Sequence, residues 1–355
     1  MLSRRCPEVR SSVLSQYSLG DLITTCRAVI RSQWLIGSPA WESEFMEMFA
    51  NPISASMDAM RRINPLEGPS VRYLPIRQAT RALASPLSAE DCAIQSMQEA
   101  SPVKWHLAHT TWFFETFVLV PHFEGYRPLK PAYRVLFNSY YNTVGDKHPR
   151  PERGMLSRPG LDEVLEYRDH VDQAMSSLLS SARLSGEVTD LIELGLHHEQ
   201  QHQELILTDV KHLFSRNPLK PIYQKRSHRT PARACERRWL AFEAGQYKVG
   251  HSGQDFCFDN ETPRHRIWLD AFQIASHPVT NGDFINFIDD KGYQRPELWL
   301  SAGWDTVTAD RWIAPQYWER RDGQWYTFTL HGEEPVDLNA PVCHVSFFEA
   351  EAFSR

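Results

Sequence analysis

Residues 196–212 read LHHEQQHQELILTDVKH. Within them His198, Glu199 and His202 fit H-E-x-x-H, which sets two histidines one helical turn apart. At that spacing both imidazoles can reach one metal ion from one helix face. An apolar line through Leu191, Gly195, His198, His202 and Leu205 predicts a helix over roughly 186–214 whose histidines face a core. A buried imidazole pair needs partners, and a metal supplies them. Gly195, one turn before His198, is expected to leave room for a ligand. The competing readings are a pair of hydrogen-bonded core histidines, a His-rich surface face, or a zinc-protease helix. The protease reading makes Glu199 a general base and wants a further ligand shortly downstream. In the residues that follow, QELILTDVKH, Glu204 is too close to His202 to be that ligand, and no Gly turn intervenes.

Three more helices are expected upstream. VRYLPIRQATRALAS (71–85) is amphipathic, and SAED (88–91) is a capping box. VKWHLAHTTWFFETFVLV (103–120) carries Lys104, two His and Glu115, so it reads as a buried helix rather than a membrane span, with Ser101 as N-cap and Pro102 at N1. LDEVLEYRDHVDQAMSSLLSS (161–181) is the next helix, reached through a Pro-, Gly-, Asn- and Tyr-rich loop at roughly 121–160. Helices of this length joined by loops point to a four-helix bundle over 71–224. The basic stretch KRSHRTPARACERR at 225–238 reads as a linker. Beyond it, 239–355 changes to short alternating runs, Gly turns and Trp. RHRIWLDAFQIASHPVT reads as strands, and NGDFINFIDDKG as a helix closed by Gly292. The whole is multidomain, α followed by α+β.

A third metal ligand is available on the aromatic helix, where KWHLAHTTWFF offers His106 and His109. Bundle metal sites take ligands from facing helices in this way. His109 shares a face with Trp105 and Trp112, but either histidine can serve. Three neutral imidazoles suit non-haem Fe(II) with open positions, and equally tetrahedral zinc with one water.

Four stretches, SPVKWHLAHTTWFFETFVL, FNSYYNTVGDKHPRPERGMLSRP, HHEQQHQELILTDVKH and FDNETPRHRIWLDAFQIASHPVTNGDF, occur in this order in the sulfoxide synthases of ergothioneine biosynthesis, the hercynine oxygenases, which the chain resembles over roughly 72–355. The resemblance implies a DinB-like four-helix bundle followed by an incomplete domain similar to formylglycine-generating enzymes, of C-type-lectin-like fold. It implies Fe(II) held by His109, His198 and His202, and so selects His109 over His106. It implies a reaction joining the sulfur of cysteine or γ-glutamylcysteine to the imidazole of hercynine, with O2 supplying the sulfoxide oxygen. Tyr140 and Tyr141 match a Tyr pair that can deliver a proton. Arg150 and Arg153 match the P-R-x-x-R pair that binds the thiol substrate, whose carboxylates suit guanidinium forks. Gln201 matches a residue near hercynine. Trp105 and Trp112 are expected to line the core, with cation–π contact to the trimethylammonium as the other option. Related chemistries remain open: an ovothiol- or selenoneine-type synthase, a DinB-like zinc thiol transferase, or a non-catalytic remnant.

Composition sets outer bounds. The 355 residues allow about two domains. With 42% hydrophobic and 23% charged residues, the chain is ordinary for a soluble protein, and its formal charge of −6 gives no electrostatic reason to expect nucleic acid. No apolar run reaches membrane length. Cysteines at 6, 26, 92, 235, 257 and 343 form no C-x-x-C, which fits a reducing compartment and a cytoplasmic protein. Residues 1–70 are expected to be an N-terminal extension, transit-peptide-like in its first 35 residues, with Met57 or Met60 as alternative starts. Ser346 and Glu349 form a capping box, and the chain is expected to end inside the helix they open. The resemblance implies further residues beyond it that supply much of the hercynine pocket. Oligomeric state is not legible.

Overall fold

Four helices carry the first half of the chain in the computed structural model, which describes residues 67–181, 184–226, 231–253 and 255–355. The expectations for residues 1–66 lie outside the described residues. Helix α1 spans Pro69–Ala84, α2 Val103–Phe113, α3 Leu161–Ser180 and α4 Gly186–Arg216. α1, α3 and α4 each bury a stripe at helical spacing, α2 is buried on every side, and together they form one hydrophobic core.

The aromatic helix departs from its expected form at both ends. It begins at Val103 with Pro102, not Ser101, in the cap position and without a side-chain cap. Ser101 is used elsewhere: its amide donates to Asp209 and its hydroxyl accepts from Arg153. At its far end α2 runs into a π-helical stretch, Phe114–Leu119. The box at 88–91 forms as read, with reciprocal Ser88–Asp91 bonds over a short 3-10 turn.

On α4 the deepest stripe lies one residue aside from the expected line. Ile192, Leu196, Glu199, Gln203, Ile206 and Val210 are buried, whereas Leu191 and Leu205 are only half-buried. Glu199 is fully buried at the centre of the bundle. Its carboxylate accepts from Arg77 Nη1 at 2.8 Å, Thr80 Oγ1 at 2.6 Å and Arg168 Nη2 at 2.9 Å. Arg77 donates on to Asp172 on α3 and Thr111 on α2, and Arg168 donates to the Leu107 carbonyl on α2. All four helices therefore meet in one polar network.

Gly195 does not make room for a ligand. A Cβ there would lie 2.6 Å from Phe114 Cε1 and 2.9 Å from Phe113 Cε1, so the missing side chain lets α2 press its rings against α4.

The second half contains three small antiparallel sheets. Strands β1 (Trp239–Phe242), β2 (Gly245–Val249), β3 (His265–Leu269) and β4 (Phe272–Ala275) pair as β1–β4 and β2–β3. Helix α5 (Asn281–Asp289) carries a Thr280–Asp283 capping box. After it the left-handed residue is Lys291, φ 61°, and not Gly292 as the sequence predicts. Gly292 is needed for contact instead, because a Cβ would fall 2.2 Å from the Phe287 ring. Helix α6 (Ser301–Asp310), the sheet β5–β6–β7 (Trp318–Arg321, Gln324–Thr329, Gly332–Pro335) and α7 (Phe347–Ser354) follow, α7 under the expected Ser346–Glu349 box. The described residues between Arg216 and Trp239 form no helix or strand. Phe328 of β6 joins the bundle core, and the Tyr223 amide donates to the Leu330 carbonyl. Trp239 and Trp268, on β1 and β3, are 60% and 67% exposed.

Two outcomes follow from this packing. Glu199→Gln leaves two guanidiniums facing a neutral amide and is expected to cost about 3–5 kcal/mol in urea unfolding. Burial pushes the Glu199 carboxyl up, but Arg77 and Arg168 overcome it and hold the group near 2, below the ordinary 4.5. Its stabilising contribution is thus complete above pH 4.5 and lost as pH falls toward 2, a slope that the variant should lack. Gly195→Ala overpacks the α2–α4 contact and should cost about 1–3 kcal/mol in the same assay.

Candidate metal centre

The side of α4 next to the Glu199 stripe faces α2, and there His198 and His202 meet His109. Their ring centroids lie 4.6 Å apart for His198–His202, 4.8 Å for His109–His202 and 5.0 Å for His109–His198. One ligand nitrogen from each falls within 4.8 Å of the others. The i, i+4 spacing turns His198 and His202 the same way, and α2 brings His109 across to them.

All three rings are buried, and burial depresses each imidazole below its ordinary 6.5. His198 falls to about 4; His109 and His202 fall well below 6.5, with His198 adding to the effect on both. Neutral imidazoles at pH 7 each present one lone pair. His109 Nδ1 lies 2.7 Å from the Phe137 carbonyl, an acceptor only, so Nδ1 carries the proton and Nε2 is free to ligate. His202 Nδ1 lies 2.8 Å from His106 Nδ1, and His106 Nε2 lies 3.0 Å from Asp209 Oδ2. His198 Nδ1 is buried without a hydrogen-bond partner among the described residues. A buried polar nitrogen in that condition, beside two others with open Nε2 atoms, fits a divalent transition-metal ion.

Aromatic planes wall the centre. Trp105 stacks on His109 at 4.5 Å and 14°, and Trp112 stacks on it at 5.5 Å and 16°. The Arg153 guanidinium covers Trp105 at 3.4 Å from the ring centroid. Trp105 is thus sandwiched between Arg153 and His109, with no ring face left for a ligand ammonium. Arg153 is only 4% exposed. Burial and nearby Arg150 pull its guanidinium down to about 9. It donates to Ser101 Oγ at 2.9 Å, and the Asp209 carboxylate, which partly offsets the shift, forms no ion pair with it among the described residues. Arg153 Nε and Trp105 Nε1 are both buried and without a hydrogen-bond partner there.

The other sequence-derived residues are spread more widely. Arg150 is exposed and donates to the Glu99 carbonyl. Tyr140 is 66% exposed and stacks on Tyr141 at 4.9 Å. Tyr141 packs on Trp112 at 5.5 Å, which puts one indole between it and His109. Burial, then Tyr140, pushes the Tyr141 hydroxyl above its ordinary range. Gln201 is half-buried on α4. Glu199 points away from the histidines and spends both oxygens on Arg77, Thr80 and Arg168, so it is no base for a metal-bound water.

Sequence reasoning missed Asp209 and the use of His106. Asp209 stands seven residues after His202, two turns along the same helix face, and His106 stands three before His109. Both spacings were readable, but nothing in them told the two histidines of α2 apart.

Two family profiles match the chain: the DinB superfamily over residues 75–206 and the sulfatase-modifying factor enzyme 1-like domain over 225–355. A hercynine oxygenase of Mycolicibacterium thermoresistibile is 31% identical over 259 residues, covering 72% of this chain and 55% of the relative. That of Mycobacterium tuberculosis is 30% identical over 256 residues, covering 72% and 58%. Ergothioneine biosynthesis protein 1 of Neurospora crassa is 24% identical over 160 residues, covering 41% of this chain and 18% of the relative. The chain spans a little over half the length of the first two. With both domains matched in order and hercynine oxygenases about 30% identical along 72% of it, the chain belongs to the hercynine oxygenase family.

Proposed function

We propose that this chain is the iron-binding part of an O2-dependent sulfoxide synthase of ergothioneine biosynthesis, acting in the cytoplasm. It joins the sulfur of cysteine or γ-glutamylcysteine to the imidazole of hercynine. One observation carries this reading: three neutral buried imidazoles from two helices stand beside an Arg153 guanidinium that has no carboxylate of its own. His109, His198 and His202 hold Fe(II). Fe(II), when bound there, would supply the one-electron chemistry between a thiol and O2.

The chain's own residues do the rest. Arg153 is laid flat on Trp105 and tied at Nη1 by Ser101, which leaves Nε to donate to a substrate carboxylate. A carboxylate there offsets the charge that burial and Arg150 disfavour. Arg150, on the exposed side, contributes positive potential at the entrance. Tyr141, packed on Trp112, is the proton donor on the His109 side, and Tyr140 covers it. Gln201 orients hercynine. Coupling needs the two substrates held side by side, because proximity decides between C–S bond formation and oxidation of the thiol alone.

Metal analysis of the purified chain should find one iron per molecule after anaerobic loading, and His109→Ala, His198→Ala and His202→Ala should each lose it. With hercynine, a thiol and O2, the sulfoxide is the expected product. Bound zinc and thiol chemistry indifferent to O2 would instead support a DinB-like zinc transferase. Arg153→Gln should keep its iron while the KM for the thiol rises about ten- to a hundredfold, the loss of one charge-assisted contact of about 1.5–3 kcal/mol.

A further inference from the structure

We infer that Asp209 and His106 are positioning residues that set the tautomer of His202 and so turn its Nε2 toward the metal; this rests on the metal reading given above. The inference follows from proton counting along the chain Asp209, His106, His202. Asp209 Oδ2 accepts the Ser101 amide at 2.9 Å and lies 3.0 Å from His106 Nε2. A carboxylate has no proton to give, so His106 Nε2 is the donor. In a neutral His106 the other nitrogen, Nδ1, then carries the lone pair. His202 Nδ1 lies 2.8 Å from it and must supply the proton in that bond. His202 is left with its lone pair on Nε2. Without Asp209 the His106–His202 contact has no direction: either ring can donate, and one of the two arrangements puts a proton on the ligand atom.

The setting makes the arrangement durable. His106 is buried, and the Asp209 side chain is 13% exposed. The Ser101 amide stands just before the first turn of α2, so the same carboxylate also ties the start of α2 to α4. His109 reaches the same end by a different route, through the Phe137 carbonyl. Outer partners of this kind fix ring orientation and raise ligand basicity, and their loss lowers metal affinity by about 10- to 100-fold.

Nitrogen-15 NMR of the metal-free full chain, with the histidine rings labelled, reads the tautomer directly. Protonation of His202 at Nδ1 and of His106 at Nε2 is expected. Co(II) titration of wild type and Asp209→Asn then reads the consequence. The Asn amide can donate to His106 Nε2 and reverse the chain, so affinity should fall about 10- to 100-fold with an altered ligand-field spectrum. A merely structural role for Asp209 would lower thermal stability and leave that spectrum unchanged. Protonation of His202 at Nε2 in wild type overturns the inference, and so does an Asp209→Asn affinity within twofold of wild type. If the variant does not fold, the wild-type tautomer alone decides. Failure of wild type to bind Co(II) counts against the metal reading, while the ring protonation still judges the relay.

Discussion

The bundle depends on one fully buried carboxylate. Glu199 lies between two guanidiniums, and removing any member would leave an uncompensated charge where no water can reach it. The Arg77 and Arg168 forks are satisfied only when Asp172, Thr111 and the Leu107 carbonyl also arrive, so the four helices are locked in one register. Hydrophobic burial alone would tolerate small slides between helices. A polar network with fixed geometry does not, and specificity of packing is its most direct consequence here.

That register is what builds the centre. Glu199 and His198 are neighbours in sequence and about 100° apart around the helix. Anchoring Glu199 in the core therefore aims His198 and His202 at α2. Gly195 then lets the α2 rings close on α4, and His109 is carried into place between Trp105 and Trp112. The outcome is a set of imidazoles kept neutral by burial, with an unpaired guanidinium layered one ring away. His109 is held by a backbone carbonyl and two stacked rings, His202 by His106, and Arg153 by Ser101 and the Trp105 ring.

Much of this was legible in the sequence. The helical periods located all four helices within a few residues, and the two capping boxes at Ser88 and Ser346 form as written. H-x-x-x-H spacing placed His198 and His202 on one helix face, and the ordered motifs pointed to His109, which meets them in the bundle. Other features resisted reading because their causes lie across the fold. Ser101 has the chemistry of a cap, yet Asp209 and Arg153, distant in sequence, claim its amide and hydroxyl. Gly195 and Gly292 looked like space and a turn. Both are close-contact positions set by Phe113, Phe114 and Phe287.

By itself the sequence determined that two histidines share a helix face, that a buried aromatic helix offers a third, and that the chain divides into an α part and an α+β part. Those are consequences of periodicity, which the covalent chain carries locally. Only the tertiary structure decided that His106 bonds His202, that Glu199 is a structural anion rather than a base, and that Asp209 reaches the centre through His106. Each of these depends on what a side chain meets from another helix, and a hydrogen bond or an ion pair between helices has no period in sequence for a reader to find.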